Sequence, residues 1–310
     1  MVIVNGDETR IFSSYNDLEH QSRAPYPSHR RGHVGNYRSY EFCRCRCLCC
    51  CECGLMLVNY TDSNVYAMWN PATGEEKLIP NHQNQRQFEV CGIGFDSKNN
   101  EYKPFFAYSL SERMEIEMYS FKTNQWRNLV YPPDSESELG IDFLYGYRWI
   151  VYANGIAHWV GYISHDFFDK LIIISFDMGS DKIITTPFPN DVVFSYHVVF
   201  NESLALVNYR GPGSCNFDIW VLGEYGNKDS WSMLFTIPTL QPLQDISRIE
   251  SFWSETTILV LCQEEENDGD EKAKLFLYDT LTQQALDLHI GGINTRVMTC
   301  PKTLLPIVSQ

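Results

Sequence analysis

The chain has 310 residues, a length that suits one large all-β domain or two ordinary domains. Hydrophobic residues make up 44% of it and aromatic residues 14%, which is enough apolar surface for a core and excludes global disorder. The formal net charge of −15 argues against nucleic acid as a partner, because non-specific binding needs Lys and Arg to displace counterions from phosphates. The acidity follows residue 50: residues 1–50 carry a net charge of +2, and the remainder carries −17.

The N-terminal segment, residues 1–40, carries no targeting signal that we can identify. Its apolar run at residues 1–4 is interrupted at once by Asn5-Gly6-Asp7, so it lacks the apolar core of a secretory signal. The longest apolar stretches elsewhere, such as residues 171–176, fall far below the roughly 20 residues that span a bilayer. We therefore expect a cytoplasmic or nuclear protein, or one found in both, with reduced thiols and no membrane partner.

Residues 41–53 hold seven of the 11 cysteines, in a run from Cys43 to Cys53. Zinc sites usually take two well-separated pairs of cysteines, and no second pair follows this run. We interpret residues 41–53 as a Cys-rich, low-complexity insert, and we expect no metal or other cofactor. Binding of a soft metal by the thiolates stays open as an alternative.

From residue 54 onward, a unit of short apolar strands recurs five times. The units are centred on aromatic residues that precede polar turns, namely Trp69, Tyr119, Phe176, Trp220 and Tyr278. The intervals of 44 to 58 residues between these centres are typical of kelch-like blades, which bury both faces only by stacking around an axis. The sequence therefore predicts an all-β fold, a kelch/galactose-oxidase-like β-propeller over residues 54–306.

Five units leave the ring one short of the six blades that we predict. Short segments that are able to pair occur at both chain ends, at residues 2–4 or 9–13 and at residues 296–299. We therefore expect the N-terminal segment to supply a closing strand that pairs with the C-terminal end.

A dense acidic tract separates two strands of the fifth unit. Its acidic residues are Glu264, Glu265, Glu266, Asp268, Asp270 and Glu271. The tract lacks the Asp-x-Asp-x-Asp-Gly order of a calcium loop. One interpretation is a solvated loop, because like charges repel and stay in water. The other is a contact for a basic target, since loops on a rigid scaffold often carry binding residues, and these six residues are our candidate partner-binding site.

No catalytic residue is predicted, and we expect the chain not to be an enzyme. His158 is a candidate general base, but we find no partner nucleophile and no Gly-x-Ser-x-Gly motif. A histidine in a blade strand is more often packed or hydrogen-bonded, and the recurring tryptophans are typical of packing between blades. A propeller-fold enzyme, either an oxidase or a glycosidase, stays open as an alternative.

Several motifs occur in an order typical of one family. They are Gly54-Leu-Met-Leu-Val58, Trp69-Asn-Pro-Ala-Thr-Gly74, Gly92-Ile-Gly-Phe-Asp96 with Glu101-Tyr-Lys103, Met118-Tyr-Ser-Phe-Lys-Thr-Asn-Gln-Trp126, Asn154-Gly-Ile-Ala-His-Trp159, Ser175-Phe-Asp177, and Asp218-Ile-Trp-Val-Leu-Gly-Glu-Tyr-Gly226 with Ser230-Trp231. With these motifs the chain resembles the plant F-box-associated (FBA) domain family, in particular S-locus-type and F-box/kelch-like proteins. The resemblance implies a propeller that recognises target proteins for an SCF-type ubiquitin ligase. In a self-incompatibility setting, that target would be a basic ribonuclease.

The resemblance also implies an F-box ahead of the propeller. Residues 1–40 contain no tryptophan, no lysine and no helical periodicity of the kind an F-box shows. We therefore expect the chain to begin after the F-box, with residues 1–40 as the remnant. The expected partner is a target protein, basic by charge complementarity, while the Skp adaptor and the cullin are expected only for a full-length form with an F-box.

Overall fold

The computed structural model describes residues 2–5, 8–11, 45–50, 54–60, 65–81, 88, 90–110, 113–131, 140–143, 150–165, 168–192, 195–209, 216–237, 243, 246–265, 271–292, 296–298 and 306–307. Within these residues the chain forms 24 strands and one turn of 3₁₀-helix at Lys228–Ser230, and no α-helix. In the part that the structure describes, no helix is long and apolar enough to cross a membrane.

Five antiparallel sheets follow one another along the chain, and each is one blade of a β-propeller. Blade 1 contains β3, β4, β5 and β6 (Cys45–Cys50, Met56–Tyr60, Val65–Trp69 and Glu76–Ile79). Blade 2 contains β7, β8, β9 and β10 (Val90–Asp96, Glu101–Leu110, Arg113–Ser120 and Gln125–Tyr131). Blade 3 contains β11, β12, β13, β14 and β15 (Gly140–Phe143, Val151–Ala153, Ile156–His165, Phe168–Asp177 and Lys182–Pro187).

The last two blades have four strands each, in sequence order. Blade 4 contains β16, β17, β18 and β19 (Ser195–Phe200, Ser203–Tyr209, Phe217–Leu222 and Trp231–Ile237). Blade 5 contains β20, β21, β22 and β23 (Ile246–Phe252, Thr257–Glu265, Glu271–Asp279 and Gln284–Gly292). The predicted all-β propeller is therefore confirmed.

The two chain ends form a further sheet of three strands in the order β2-β1-β24 (Glu8–Ile11, Val2–Asn5 and Arg296–Met298). Val2 lies opposite Met298 and Val4 opposite Arg296, so the predicted pairing of the chain ends is confirmed. The predicted number of six blades is wrong, because the propeller has five. The segments at the chain ends supply strands of four, four and three residues, which do not make up a four-stranded blade within the described residues.

The propeller has two ends that differ in their connections. In blade 3, β11 and β12 both pair with β13 and together take the place of the first strand, so that β13, β14 and β15 are its second, third and fourth. With this numbering, the turns from the first to the second strand and from the third to the fourth lie at one end of every blade, which we call the turn end. The hairpins from the second to the third strand, and the links to the next blade, lie at the other, which we call the connection end. Blades 4 and 5 point the same way, since Phe200 and Phe252, at the turn ends of β16 and β20, have ring centroids 4.7 Å apart.

Polar residues at the ends of the third strands shape the turn end. The Asn70 side chain accepts hydrogen bonds from the backbone N–H groups of Ala72 and Thr73, and Asp177 and Asp279 accept equivalent pairs. Asn70 begins Asn-Pro-Ala-Thr-Gly, in which Gly74 has a φ of 75°, a conformation that glycine adopts at little cost. These local hydrogen bonds satisfy the turn amides and reverse the chain.

Apolar packing between neighbouring sheets holds the blades together. One buried cluster joins blades 1, 2 and 3 and includes Phe105, Trp159 and Phe176. A second cluster joins blades 4 and 5, and a third joins blades 3 and 4. Each fully buried large side chain contributes about 1.5–3 kcal/mol.

Part of the cysteine run belongs to the first blade. Cys45–Cys50 form β3, which pairs with β4, with Cys45 opposite Tyr60 and Cys50 opposite Met56. Strand pairing in blade 1 therefore begins ahead of residue 54, and residues 45–50 are part of a sheet rather than an insert before it. The division of the chain at residue 40 stays a prediction.

Candidate protein-binding site

The strand ends that flank the acidic tract lie at the connection end of blade 5. Glu264 and Glu265 end β21, and Glu271 begins β22. In the register of the hairpin, Glu264 lies opposite Lys272, and Glu265 lies directly opposite Glu271. The remaining predicted site residues, Glu266, Asp268 and Asp270, lie outside the described residues. The strand ends thus place two carboxylate-bearing residues directly across from each other, an arrangement that like-charge repulsion disfavours.

The carboxylates of blade 2 at the turn end are, in contrast, used inside the protein. Asp96 accepts a hydrogen bond from Lys103 Nζ at 2.5 Å, and its other oxygen accepts from the backbone N–H groups of Lys98 and Asn99. Burial by itself would raise the pKa of Asp96, but the hydrogen bonds from Lys103 and Asn99 outweigh it and lower the pKa to about 2. Asp96 is therefore charged, and its charge is committed to the β7–β8 turn.

Glu101 ties two turns of the same blade together. Its side chain is fully buried and accepts hydrogen bonds from Ser120 Oγ at 2.8 Å and from the backbone N–H of Lys122 at 2.9 Å. Lys103 Nζ, which binds Asp96, also lies 3.7 Å from Glu101 Oε2. The family-like motifs at residues 92–103 and 118–126 thus have a structural role, since they lock the β7–β8 and β9–β10 turns to each other.

Ion pairs also join blade 2 to blade 3. Arg127 NH1 lies 2.8 Å from Asp181 Oδ2, and a second hydrogen bond joins the other guanidinium nitrogen to Asp181 Oδ1. Lys98 Nζ lies 3.9 Å from Asp181. The hydrogen bonds from Arg127 hold the pKa of Asp181 below its ordinary value. No local sequence pattern indicated this contact, because its partners are 54 positions apart.

His158 is a packed, hydrogen-bonded residue, as predicted. It is fully buried, its Nδ1 lies 2.8 Å from Ser175 Oγ, and its ring stacks on Tyr225 of blade 4 at a centroid distance of 5.2 Å. Burial lowers the pKa of His158 to about 3, so the ring is neutral at physiological pH. Ser175 is 1% exposed, so this Ser–His pair is closed to solvent. His158 therefore acts as a contact between blades 3 and 4 through Tyr225.

Trp159 and Trp231 pack between blades as predicted, whereas the ring contacts of Trp126 are with Phe106 and Tyr119 of its own blade. Trp159 of blade 3 is fully buried and lies 6.0 Å from Phe105 of blade 2, measured between ring centroids. Trp231 of blade 4 donates from Nε1 to the backbone carbonyl of Pro187 in blade 3 at 3.0 Å. Among the side chains that the structure describes, no group of three or more His, Cys, Asp or Glu is placed to hold a metal.

Known proteins share the sequence pattern of this domain. The family model of the F-box associated beta propeller domain matches residues 27–290. An Arabidopsis thaliana protein, At3g23260, whose name marks it as a candidate F-box protein, is 28% identical over 62% of this chain and 54% of its own length. Two other proteins of that plant, the F-box/kelch-repeat protein At3g23880 and the F-box protein CPR1, are 26% and 23% identical over 65% and 58% of this chain, and 54% and 50% of their own lengths.

Solved structures with similar folds are more distant. The β-propeller domain of the trilobed protease from Pyrococcus furiosus is 14% identical with a TM-score of 0.39, covering 75% of this chain and 65% of that chain. A chain of the nidogen/laminin complex is 14% identical with a TM-score of 0.40, covering 81% of this chain and 84% of that chain. Scores of this size carry no argument about function, and the fold assignment rests on the sheets of the chain itself.

The five sheets define a β-propeller in which buried side chains pack between neighbouring blades. Since the family model covers residues 27–290, the chain belongs to the F-box associated beta propeller domain family. The predicted family is thereby confirmed. The chain spans about half the length of the curated relatives that it matches.

Proposed function

We propose that this chain is the target-recognition domain of an F-box protein and that it binds a basic target protein at the connection end of blade 5. Family membership supports a role in target recognition, since the matched relatives are named as F-box proteins. The position of the acidic tract at the connection end supports the choice of surface and of partner charge.

The register of the β21–β22 hairpin is the observation that carries the proposal. Glu265 lies directly opposite Glu271, and opposed like charges destabilise a strand pair. Lys272 offsets part of this charge at the neighbouring pair, opposite Glu264. A Lys- or Arg-rich target surface placed over the hairpin would relieve the repulsion and would be drawn to it electrostatically.

Neutralising the tract tests the proposal. In the first variant, Glu266→Gln, Asp268→Asn and Asp270→Asn remove three charges from the acidic tract between β21 and β22. The matched control, Glu202→Gln, Asp229→Asn and Glu255→Gln, removes three charges from exposed residues at the turn end. Each chain is immobilised in reducing buffer and exposed to plant extract, and the retained proteins are quantified by mass spectrometry.

The wild type and the control are expected to retain the same basic protein, and the tract variant is expected to retain roughly tenfold less, at about 0.5 kcal/mol per charge. Raising the salt to about 1 M, where the screening length is about 3 Å, should release the protein from the wild type. Equal retention by all three chains, or retention that salt does not change, would contradict the proposal.

Coupling to ubiquitin transfer is proposed for the full-length form alone. There, an F-box would bind a Skp adaptor and, through it, a cullin, while this domain holds the target in the cytoplasm, in the nucleus or in both. Joining the F-box of a relative to the chain and adding the adaptor, the cullin and the retained target tests this step. We expect the target to be ubiquitinated when the wild-type domain is present, and we expect less ubiquitin on the target with the tract variant.

We propose that the domain binds its target without a catalytic step and without a metal. The closed His158–Ser175 pair supports a structural role for the best candidate base. Elemental analysis of the reduced, purified protein tests the thiol alternative: zinc or copper at one equivalent, lost when Cys45, Cys47, Cys49 and Cys50 are replaced by serine, would establish a metal site in the cysteine run.

A further inference from the structure

A cationic surface lies at the turn end of blades 2 and 3, away from the acidic tract. Its exposed cations are Lys98, Lys122, Arg127 and Lys182. Lys98 and Lys122 lie on the two turns of blade 2, Arg127 lies on β10, and Lys182 begins β15 of blade 3. Four exposed cations on two adjacent blades stand out in a chain with a net charge of −15.

The turns that carry these cations are held against each other. A Cβ atom added to Gly179, in the β14–β15 turn, would lie 2.6 Å from Ser97 Oγ in the β7–β8 turn, so the two turns are in contact. Arg127 is paired with Asp181, and Lys122 Nζ donates to the backbone carbonyls of Asn99 and Asn100. The cations therefore lie on turns that contact and hydrogen-bond each other rather than on separate loops.

The carboxylates of the same region are engaged in local hydrogen bonds and ion pairs. Asp96 and Glu101 bind Lys103 and backbone amides, as described above. Asp177 accepts hydrogen bonds from the backbone N–H of Gly179 at 2.9 Å and from Ser180 Oγ at 2.6 Å. The Asp181 side chain is 27% exposed, against 64% for Lys98. With Lys103 included, the region holds five cations and four carboxylates, so its net charge is small. The surface is positive because four of the cations are exposed, whereas the carboxylates are partly or fully buried.

The backbone amides of these turns are already used. Lys98 and Asn99 donate their N–H groups to Asp96, Lys122 donates to Glu101, and Thr123 donates to Ser120. A compact phosphate site usually needs several free N–H groups that converge on one anion. Separate ammonium groups on a fixed platform suit an extended row of carboxylates better than a single phosphate.

We propose that this cationic surface is a second protein-binding site, which takes an Asp/Glu-rich segment of a partner protein. The turn end of blades 2 and 3 and the connection end of blade 5 are on opposite ends of the propeller. An acidic partner and a basic target can therefore be bound by one molecule at the same time. This surface stands independently of the proposed target site.

Binding of a model acidic segment tests the proposal. The probe is a fluorescein-labelled poly-glutamate peptide of about 12 residues, which spans about 40 Å when extended and so reaches across two blades. Its binding is followed by fluorescence anisotropy at about 0.1 M salt, where the screening length of about 10 Å keeps the distant acidic tract from contributing. The test variant is Lys98→Gln, Lys122→Gln and Lys182→Gln, with Arg127 left in place because it joins two blades.

The matched control is Lys77→Gln, Lys170→Gln and Lys228→Gln, which removes the same charge from outside the cationic surface. Lys77 lies in blade 1, Lys170 beside the connection end of blade 3, and Lys228 in blade 4. The test variant is expected to bind the peptide roughly tenfold more weakly than the wild type, at about 0.5 kcal/mol per exposed charge, and the control to bind as the wild type does. Circular dichroism and urea unfolding check that each variant is folded.

Equal binding by the test and control variants, or no binding by the wild type, would overturn the proposal. The second probe is a peptide with one phosphoserine in a Gly/Ser background. If this peptide binds more tightly than poly-glutamate, the surface is a phosphate site and the proposal of an acidic segment is wrong. The Glu266→Gln, Asp268→Asn and Asp270→Asn variant must keep full affinity for poly-glutamate. Failure of the target site and failure of this surface are thereby separable.

Discussion

At the scale of single residues, Lys103 is the centre of the buried charge in blade 2. Its ammonium group lies 2.5 Å from Asp96 Oδ2 and 3.7 Å from Glu101 Oε2, and the Lys103 side chain is 9% exposed. The sequence showed these residues as part of a family-like motif but did not predict their contact. The contact depends on the β7–β8 register, which pairs Asp96 with Glu101 and Gly94 with Lys103.

Replacing Lys103 with methionine should destabilise the domain by about 3–5 kcal/mol, because two buried carboxylates lose their cation. Lys98→Met, at an exposed position of the neighbouring turn, is the control and should change stability by less than about 0.5 kcal/mol. Urea unfolding at pH 7 measures both. Equal losses for the two variants would show that the Lys103 ion pairs add nothing beyond a surface charge.

The same network predicts a loss of stability in acid. The pKa of Asp96 is about 2 in the folded protein and about 3.9 in an unfolded chain, so the unfolded state takes up the proton first as the pH falls. The stabilisation is complete above about pH 4 and is lost as the pH falls through about 2. Asp96→Asn should remove this component, so the stability of the variant should fall less steeply between pH 4 and pH 2. A variant whose stability keeps the wild-type slope would contradict this assignment.

At the scale of elements, the sequence predicted the third strand of every blade and missed most of the first strands. Trp69, Tyr119, Phe176, Trp220 and Tyr278 lie on β5, β9, β14, β18 and β22. These strands combine an apolar run with a polar turn residue, which is a strong local signal. The first strands give a weaker one. In β20, Arg248 and Glu250 form an ion pair within the strand, and β3 consists largely of cysteines.

Two tyrosines join first strands of neighbouring blades, which sequence periodicity alone did not indicate. The Tyr152 hydroxyl in blade 3 accepts a hydrogen bond from the backbone N–H of Ile93 in blade 2 at 2.8 Å. The Tyr196 hydroxyl in blade 4 likewise accepts from the backbone N–H of Ile249 in blade 5. Each hydroxyl satisfies a backbone donor that faces a neighbouring blade.

Tyr152→Phe and Tyr196→Phe should each cost about 1–3 kcal/mol, because each leaves a buried N–H group without its partner. Tyr131→Phe, on the outer strand β10, serves as the control and should stay within about 0.5 kcal/mol of the wild type. Thermal unfolding followed by circular dichroism compares the three. If Tyr152→Phe and Tyr196→Phe unfold at the wild-type temperature, these hydrogen bonds do not stabilise the ring.

At the scale of the whole molecule, the two chain ends pair with each other and the C-terminal segment packs against blade 1. Beyond the β1–β24 pairing, Ile307, three residues before the last residue of the sequence, is 1% exposed within the cluster that includes Leu55 and Leu57 of blade 1. Its backbone N–H donates to Glu75 Oε2 at 3.0 Å. The sequence correctly predicted that the chain ends pair, but the prediction of six blades was wrong. Short strand-like segments at both ends suggested a sixth blade, whereas the sheet that they form has three strands.

Ile307→Ala should destabilise the domain by about 2–4 kcal/mol, because it removes a fully buried side chain far along the sequence from its neighbours. Leu281→Ala is the control, since Leu281 is 77% exposed and should contribute less than about 0.5 kcal/mol. Urea unfolding and the rate of limited proteolysis report the change. Equal stability of the two variants would mean that Ile307 does not hold the C-terminal segment to blade 1.

The β21–β22 hairpin, at the connection end of the propeller, is the surface that we propose for the target protein. Hydrogen–deuterium exchange of the chain, alone and in complex with the basic protein that it retains, locates the surface that is bound. We expect slower exchange in the complex for peptides that cover residues 262–273, with no change in the turns at residues 201–202 and 253–256. Slower exchange confined to those turns, with residues 262–273 unaffected, would contradict the proposal.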